Sequence, residues 1–254
     1  MSHQPSSIFT IPLFPLHSTL FPLSPLQLHI FEERYKTMIA ECIANDQPFG
    51  VVLIRQGRDS GGGAVPYEIG CTARILAVDP LEEGRMNLLA IGENRFRLLD
   101  YIEGEKPYLI GTVELMDDES LPSERVQKPV VEMTHLTQRY LQLLSECAGL
   151  EIPELELPIE ASSLGFYIAS IAQMPAIQKQ TLLATTDPLY RLEVERTFLL
   201  QQIEELESLK QSSESDSAQS AEAGVGETET KVFYAESLNL KSEFWKKHGQ
   251  QSRN

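Results

Sequence analysis

The hydrophobic period of the chain changes once, near residue 120, and that change limits the fold more than any single motif does. Before it, apolar residues come in short runs or alternate with polar ones, as strands require; after it they recur three and four apart, as helices require. Ile8 to Leu16 is a proline-interrupted apolar run, and Phe49 to Arg55 and Thr72 to Val78 are compact β-branched runs. Met86 to Ile91 and Arg95 to Leu99 flank Gly92-Glu93-Asn94, which reads as a turn, and Tyr108 to Met116 closes the series. Short strands between Gly, Pro and Asp turns predict an antiparallel sheet curled into a barrel rather than βαβ units. One amphipathic helix, Ile30 to Ile43, should cross that barrel with Glu32, Glu33, Lys36 and Glu41 facing mainly outwards. Gly57, Gly61, Gly62 and Gly63 mark a mobile loop.

Beyond residue 123 the pattern predicts a helical bundle. Its segments are Val126 to Cys147, Ala161 to Met174 and Ala176 to Ala184, then a long helix opened by Asp187-Pro188 and ending near Lys210. Leu192, Leu199, Ile203 and Leu206 stripe that last helix, with Glu204, Glu205 and Glu207 on its solvated face. Residues 211–231 hold almost no large apolar side chain and are expected to be a disordered acidic linker. Residues 232–254 recover Val232, Phe233, Leu238, Leu240, Phe244 and Trp245, and could form a short docking peptide. The fold class is therefore α+β. A β-rich unit spans 7–118, and a helical part of the same body spans 119–210.

Charge narrows the partners. The 254 residues include 21 Lys+Arg and 37 Asp+Glu, a net −16. So acidic a chain argues against nucleic acid and against an anionic membrane surface, both of which need a clustered basic footprint. No run approaches the ~18 apolar residues of a membrane span, and the N-terminus lacks a secretory pattern, so a cytoplasmic location is expected. Cys42, Cys71 and Cys147 are odd in number without CxxC spacing, and read as small buried hydrophobes.

The sequence offers no catalytic, cofactor or metal assignment. Nothing fits a phosphate-cradling GxxxxGK[ST] loop, and the glycines from Ser60 to Ala64 lead into a strand instead of a helix N-terminus. His3, His17, His29, His135 and His248 are scattered, with no pair spaced for one metal. No GxSxG elbow is present. Glu32-Glu33 and Asp117-Asp118-Glu119 read as solvated carboxylates in an acidic chain.

One ordered set of segments is nevertheless distinctive. Ile11-Pro-Leu-Phe-Pro-Leu, Leu20-Phe-Pro and Leu26-Gln-Leu-His-Ile-Phe-Glu-Glu-Arg-Tyr35 are followed by Phe49-Gly-Val-Val-Leu-Ile54 and Glu68-Ile-Gly-Cys-Thr-Ala-Arg-Ile-Leu76. Leu89-Ala-Ile-Gly-Glu-Asn-Arg-Phe-Arg97, Pro107-Tyr-Leu-Ile-Gly-Thr-Val113 and Gln178-Lys-Gln-Thr-Leu-Leu-Ala184 come next, running into Asp187-Pro-Leu-Tyr-Arg-Leu192. Together they resemble the N-terminal, substrate-binding domain of Lon proteases over residues 8 to 210.

The resemblance implies a PUA-like β pseudo-barrel followed by helices, and a non-catalytic module that binds polypeptide clients, as an adaptor for proteolysis or quality control or beside a separate protease. Full Lon proteases continue into ATPase and Ser-Lys protease modules, so neither activity is expected where the likeness ends near Lys210. A small-molecule-responsive regulatory module is the alternative, and an enzyme of unrecognised kind a lesser one. An apolar client groove would lie between barrel and helices; the client-binding residues and the oligomeric state are not legible.

The signature residues read as scaffold. Pro12, Pro15, Pro22 and Pro25 suit an edge strand and crossover. Glu33 and Arg34 could tie the helix to the barrel rim, with Phe31 and Tyr35 packed beneath it. Gly70 and Gly92 suit turns or bulges, and Arg95 could reach a carbonyl or carboxylate on a neighbouring strand.

Overall fold

The strand-forming runs of the first half pair into one six-stranded sheet. Its members are β1 (Ile8–Leu16), β2 (Pro25–Ile30), β3 (Phe49–Gln56), β4 (Val65–Pro80), β5 (Met86–Ile102) and β6 (Leu109–Met116), in the order β2-β5-β4-β3-β1-β6. β6 also pairs with the later part of β5, so five strands close into a barrel and β2 hangs on β5 at the edge. This computed structural model describes residues 8–58, 63–148 and 156–219. The chain divides into two units, Met1–Glu119 with Gln173–Asp187, and Ser120–Ala172 with Pro188–Asn254.

One pairing departs from the expected antiparallel pattern: β1 and β3 run parallel. A parallel pair needs a long crossover, and β2 with helix α1 (Glu33–Ala44) supplies it. The expectation of an edge strand at the prolines needs a matching correction. β1 pairs with β6 over Ile8 to Leu13 and with β3 over Leu13 to Leu16, so it lies between two strands, yet each half has a neighbour on one side only. Pro12 and Pro15 are tolerated because a locally one-sided strand need not use every donor. Pro25 opens the true edge strand, β2.

The turn expected at Gly92-Glu93-Asn94 is absent, because β5 runs unbroken from Met86 to Ile102. Gly92 is needed for a different reason. The backbone of Phe21 to Ser24 crosses it, with Leu23 N–H donating to its carbonyl at 2.8 Å and its own N–H donating to Ser24 at 2.9 Å. A Cβ at Gly92 would sit 2.1 Å from the Phe21 carbonyl oxygen. Gly92→Ala is expected to destabilise by about 1–3 kcal/mol through overpacking against backbone. Urea denaturation would show a lower midpoint at unchanged slope, and an unchanged midpoint would refute the close approach.

α1 begins at Glu33, three residues later than its apolar spacing suggests, because Ile30 is still paired to Met86 in the sheet. Tyr35, Met38, Ile39 and Cys42 form its buried face and pack with Phe14, Phe49, Leu88 and Ala90. Inside the barrel Phe96, fully buried, meets Ile11, Leu13, Val52, Leu98 and Val113. Gly70 makes room for that ring, since a Cβ there would come within 2.4 Å of it.

The second unit contains α2 (Ser123–Ala148), α3 (Ala161–Ile171) and α5 (Pro188–Gln219). Leu192, Leu199 and Ile203 of α5 are buried against Tyr140, Leu143 and Leu144 of α2 and Leu164 and Ile168 of α3. Ion pairs Arg139–Glu207 (2.6 Å), Arg196–Glu132 (2.6 Å) and Lys210–Glu146 (2.9 Å) join α2 to α5. The α5 helix passes Lys210 and reaches Gln219, because Gln211 to Gln219 contains neither Gly nor Pro to stop it. That replaces the first part of the expected disordered linker. The rest of the linker and the docking peptide, residues 220–254, lie outside the described residues, as do the loop residues 59–62.

Helix α4 (Ala176–Ala184) also differs from expectation. The sequence groups it with the helical half, whereas Gln173–Asp187 belongs by contact to the barrel unit.

Candidate functional site

The residues of the Lon-like signature converge on two places in the barrel unit. The first is the start of α1. Tyr35 is buried and stacks on Phe14 with ring centroids 4.1 Å apart. The Arg34 guanidinium lies 4.4 Å from the Tyr35 ring centroid and pairs with Glu32 at 3.1 Å. Glu33 pairs with Lys36 at 2.8 Å, and the Lys36 ammonium also donates to the Glu83 carbonyl at 2.8 Å, which ties the helix to the β4–β5 connection. Phe31, expected beneath the helix, is instead 59% exposed. Its position just past the last paired residue of β2 turns it outwards.

Beside Tyr35 lies a pocket of about 60 Å³ walled by Pro15, Arg34, Lys106, Pro107, Tyr108 and Leu109. The Tyr108 hydroxyl donates to Glu41 at 2.5 Å, and Lys106 donates to both Glu41 oxygens at 3.1 Å. The Tyr108 and Lys106 hydrogen bonds hold the Glu41 carboxyl below its usual range; burial and the same carboxylate push the Tyr108 phenol up. Glu41, 34% exposed at the side chain, is thus a charge tied to the pocket wall through Tyr108 and Lys106. Compact ligands occupy pockets of about 300–1,000 Å³, so this one has room for a side-chain tip rather than a whole small molecule.

The second place is the strap formed by Gln173–Asp187. Arg95 is 2% exposed, and donates to the Leu183 carbonyl at 2.8 Å and the Thr185 carbonyl at 2.7 Å, while also pairing with the Asp118 carboxylate. Gln180 donates to the Ile69 carbonyl at 2.8 Å, and Glu119 N–H donates to the Thr186 carbonyl at 2.9 Å. These three acceptors of Arg95 lie at the end of α4 and just past β6. Asp118, read from sequence as a solvated turn carboxylate, is 10% exposed at the side chain. No local signal marks it, since its partner lies 23 residues away in the chain.

The remaining reactive side chains are quiet. Burial pushes the Cys42 thiol to about 11 and the Cys71 thiol further up, where a thiolate is scarce. Among the described residues, no group of three or more His, Cys, Asp or Glu could hold a metal ion. Among the same residues, no helix is long and apolar enough to cross a membrane.

The fold and this arrangement define a β-barrel module whose distinctive residues build surfaces and clamps. Residues 10–201 match the model of the ATP-dependent protease La (LON) substrate-binding domain, and the chain belongs to that family. It is 25% identical over 231 residues to a Lon protease of Anaeromyxobacter dehalogenans, and 27% identical over 232 residues to Lon protease 2 of Myxococcus xanthus. Each alignment covers 90% of this chain and 27% of the relative, so the chain spans about a quarter of the length of those curated relatives. Among solved structures, a Lon N-terminal domain protein from Xanthomonas campestris superposes with a TM-score of 0.54 at 28% identity, covering 73% of this chain and 95% of that one. The N-terminal domain of Lon protease from the Mycobacterium avium complex shares the fold, with a TM-score of 0.56 at 16% identity over 75% of this chain and 98% of that one.

Proposed function

We propose that this chain is a non-catalytic recognition module of the cytoplasm that binds exposed segments of other polypeptides and acts as an adaptor for proteolysis or protein quality control. The observation that carries this reading is the family match over residues 10–201, in which the aligned part of each full-length relative is its substrate-binding portion. Two structural facts support it. The pocket beside Tyr35, at about 60 Å³, suits one side chain of a longer partner better than an enclosed metabolite. Phe31, 59% exposed just before α1, offers an apolar contact to an unfolded chain beside the same helix.

The test is binding of a labelled, reduced and unfolded protein to the purified chain, read by fluorescence anisotropy against the native form of the same protein. The unfolded form should bind with a Kd in the micromolar range, about −8 kcal/mol, and the native form should not compete. The same preparation should neither turn over ATP nor cleave casein. Equal affinity for native and unfolded forms, or hydrolysis by the chain alone, overturns the reading.

A further inference from the structure

We propose that clients dock on the free edge of β2, where an extended apolar segment flanked by lysine or arginine adds to the sheet as a further strand; this deepens, and rests on, the recognition reading above.

The directions of the backbone hydrogen bonds identify the edge. Both backbone polar groups of Gly92 face the β2 side, through Leu23 N–H at 2.8 Å and the Ser24 carbonyl at 2.9 Å. In an antiparallel ladder these directions alternate along a strand, so Ala90, Leu88 and Met86 also face β2. Their register partners Leu26, Leu28 and Ile30 then bond to β5, and the N–H and C=O of Gln27 and His29 point away from it. Among the described residues no strand pairs on that outer side. The side chains of Gln27 and His29 are exposed as well.

An unpaired edge is a template for another chain, and proteins that avoid this blunt their edges with charge, proline or bulges. The later part of β4, which pairs with β5 on one side, carries a register shift between Ile75 and Ala77 and ends in Asp79-Pro80. β2 has Pro25 at its first residue and no charged side chain along its length. Just beyond it, Phe31 is 59% exposed and stacks on His29 with centroids 6.1 Å apart, giving the added strand an apolar neighbour. Backbone addition supplies affinity of this kind, and side-chain neighbours supply preference.

Charge complementarity selects the flanks. Ile30 lies opposite Met86, so the start of α1 and the β4–β5 connection meet at the same end of β2. There the side chains of Glu33 and Glu83 are 88% and 83% exposed. Lys36 pairs with Glu33, Arg34 with Glu32, and Arg85 lies 3.8 Å from Glu83, so the four acids Glu32, Glu33, Glu82 and Glu83 exceed the three cations here by one. An acidic rim beside a neutral edge favours a basic flank on the incoming segment and disfavours an acidic one.

The experiment uses the full chain and three labelled peptides: alternating Val and Thr flanked by Lys, the same core flanked by Glu, and the Lys-flanked peptide with alternate backbone amides N-methylated. The Lys-flanked peptide should bind, and Glu flanks should weaken binding several-fold. N-methylation on the pairing side should weaken it about ten-fold, as should Gln27→Pro, which removes an outward donor without touching the β2–β5 ladder. Because N-methylation is tested on the unaltered protein, the result stands even if the proline variant fails to fold. Affinity unchanged by N-methylation overturns strand addition while leaving the recognition reading intact. A dimer dissociated by Gln27→Pro, with no peptide bound, gives the edge to a second copy and equally overturns it. Loss of the recognition reading has its own signature, failure to distinguish unfolded from native protein.

Discussion

Replacing Arg95 by alanine should detach the Gln173–Asp187 strap from the barrel and destabilise the unit by about 3–5 kcal/mol, the usual cost of leaving one partner of a buried ion pair alone. The last carbonyls of a helix lack intrahelical donors and carry its negative end, and the guanidinium answers both needs at Leu183 and Thr185. Without it the Asp118 side chain, 10% exposed, loses the guanidinium that pairs with it. Arg95→Lys should recover only part of the loss, because a single ammonium cannot span acceptors that the planar guanidinium reaches with two nitrogens. Removing Asp118 as well should be less damaging than the sum of the two single losses, since the two side chains share one contact. Hydrogen exchange would localise the effect: the amides of α4 should lose protection in Arg95→Ala before those of the barrel core around Phe96. A loss below about 1 kcal/mol, the range of a solvated surface pair, would show that the clamp does not hold the strap.

The same clamp shows where reading the sequence stops. The strand runs Ile8 to Leu16 and Phe49 to Arg55 were legible because their neighbours are local and their apolar content is dense. Helix α4 was legible to the residue, yet the unit it joins was not, because that depends on Arg95 and Gln180 meeting carbonyls or helices many residues away. At Gly92 a strong local turn signal was overridden by a backbone crossing from residues 21–24, a contact that leaves no local trace. The signature residues Arg34, Tyr35 and Arg95 could be picked out, whereas their partners Asp118, Phe14 and Glu32 could not be assigned. An edge strand is harder still. Leu26, Leu28 and Ile30 alternate as any strand does, and only the topology leaves Gln27 and His29 facing outwards.

The helical unit carries a buried acid whose removal should stabilise it. Glu195 of α5 is fully buried, and neither carboxylate oxygen has a hydrogen-bond partner. Burial raises its carboxyl well above the ordinary 4.5, against the opposing pull of the Arg191 guanidinium. That guanidinium lies 4.1 Å from the Phe166 ring centroid, on the α3 face against which Gly165 leaves room for both side chains. In the unfolded chain Glu195 ionises near its ordinary value, while in the folded unit it stays protonated to a higher pH. Its contribution to stability is therefore fully present below pH 4.5 and is lost as pH climbs from there towards the folded value, at up to about 1.4 kcal/mol per pH unit. Glu195→Met, which fills the same space without a polar group, should abolish that slope. Measured by urea denaturation of the helical unit, the variant should match the parent near pH 4 and exceed it by about 1–4 kcal/mol at pH 8, the gain seen when buried charges yield to apolar side chains. A variant less stable than the parent at pH 8 would mean that Glu195 is ionised in the fold and serves as the counterion of Arg191.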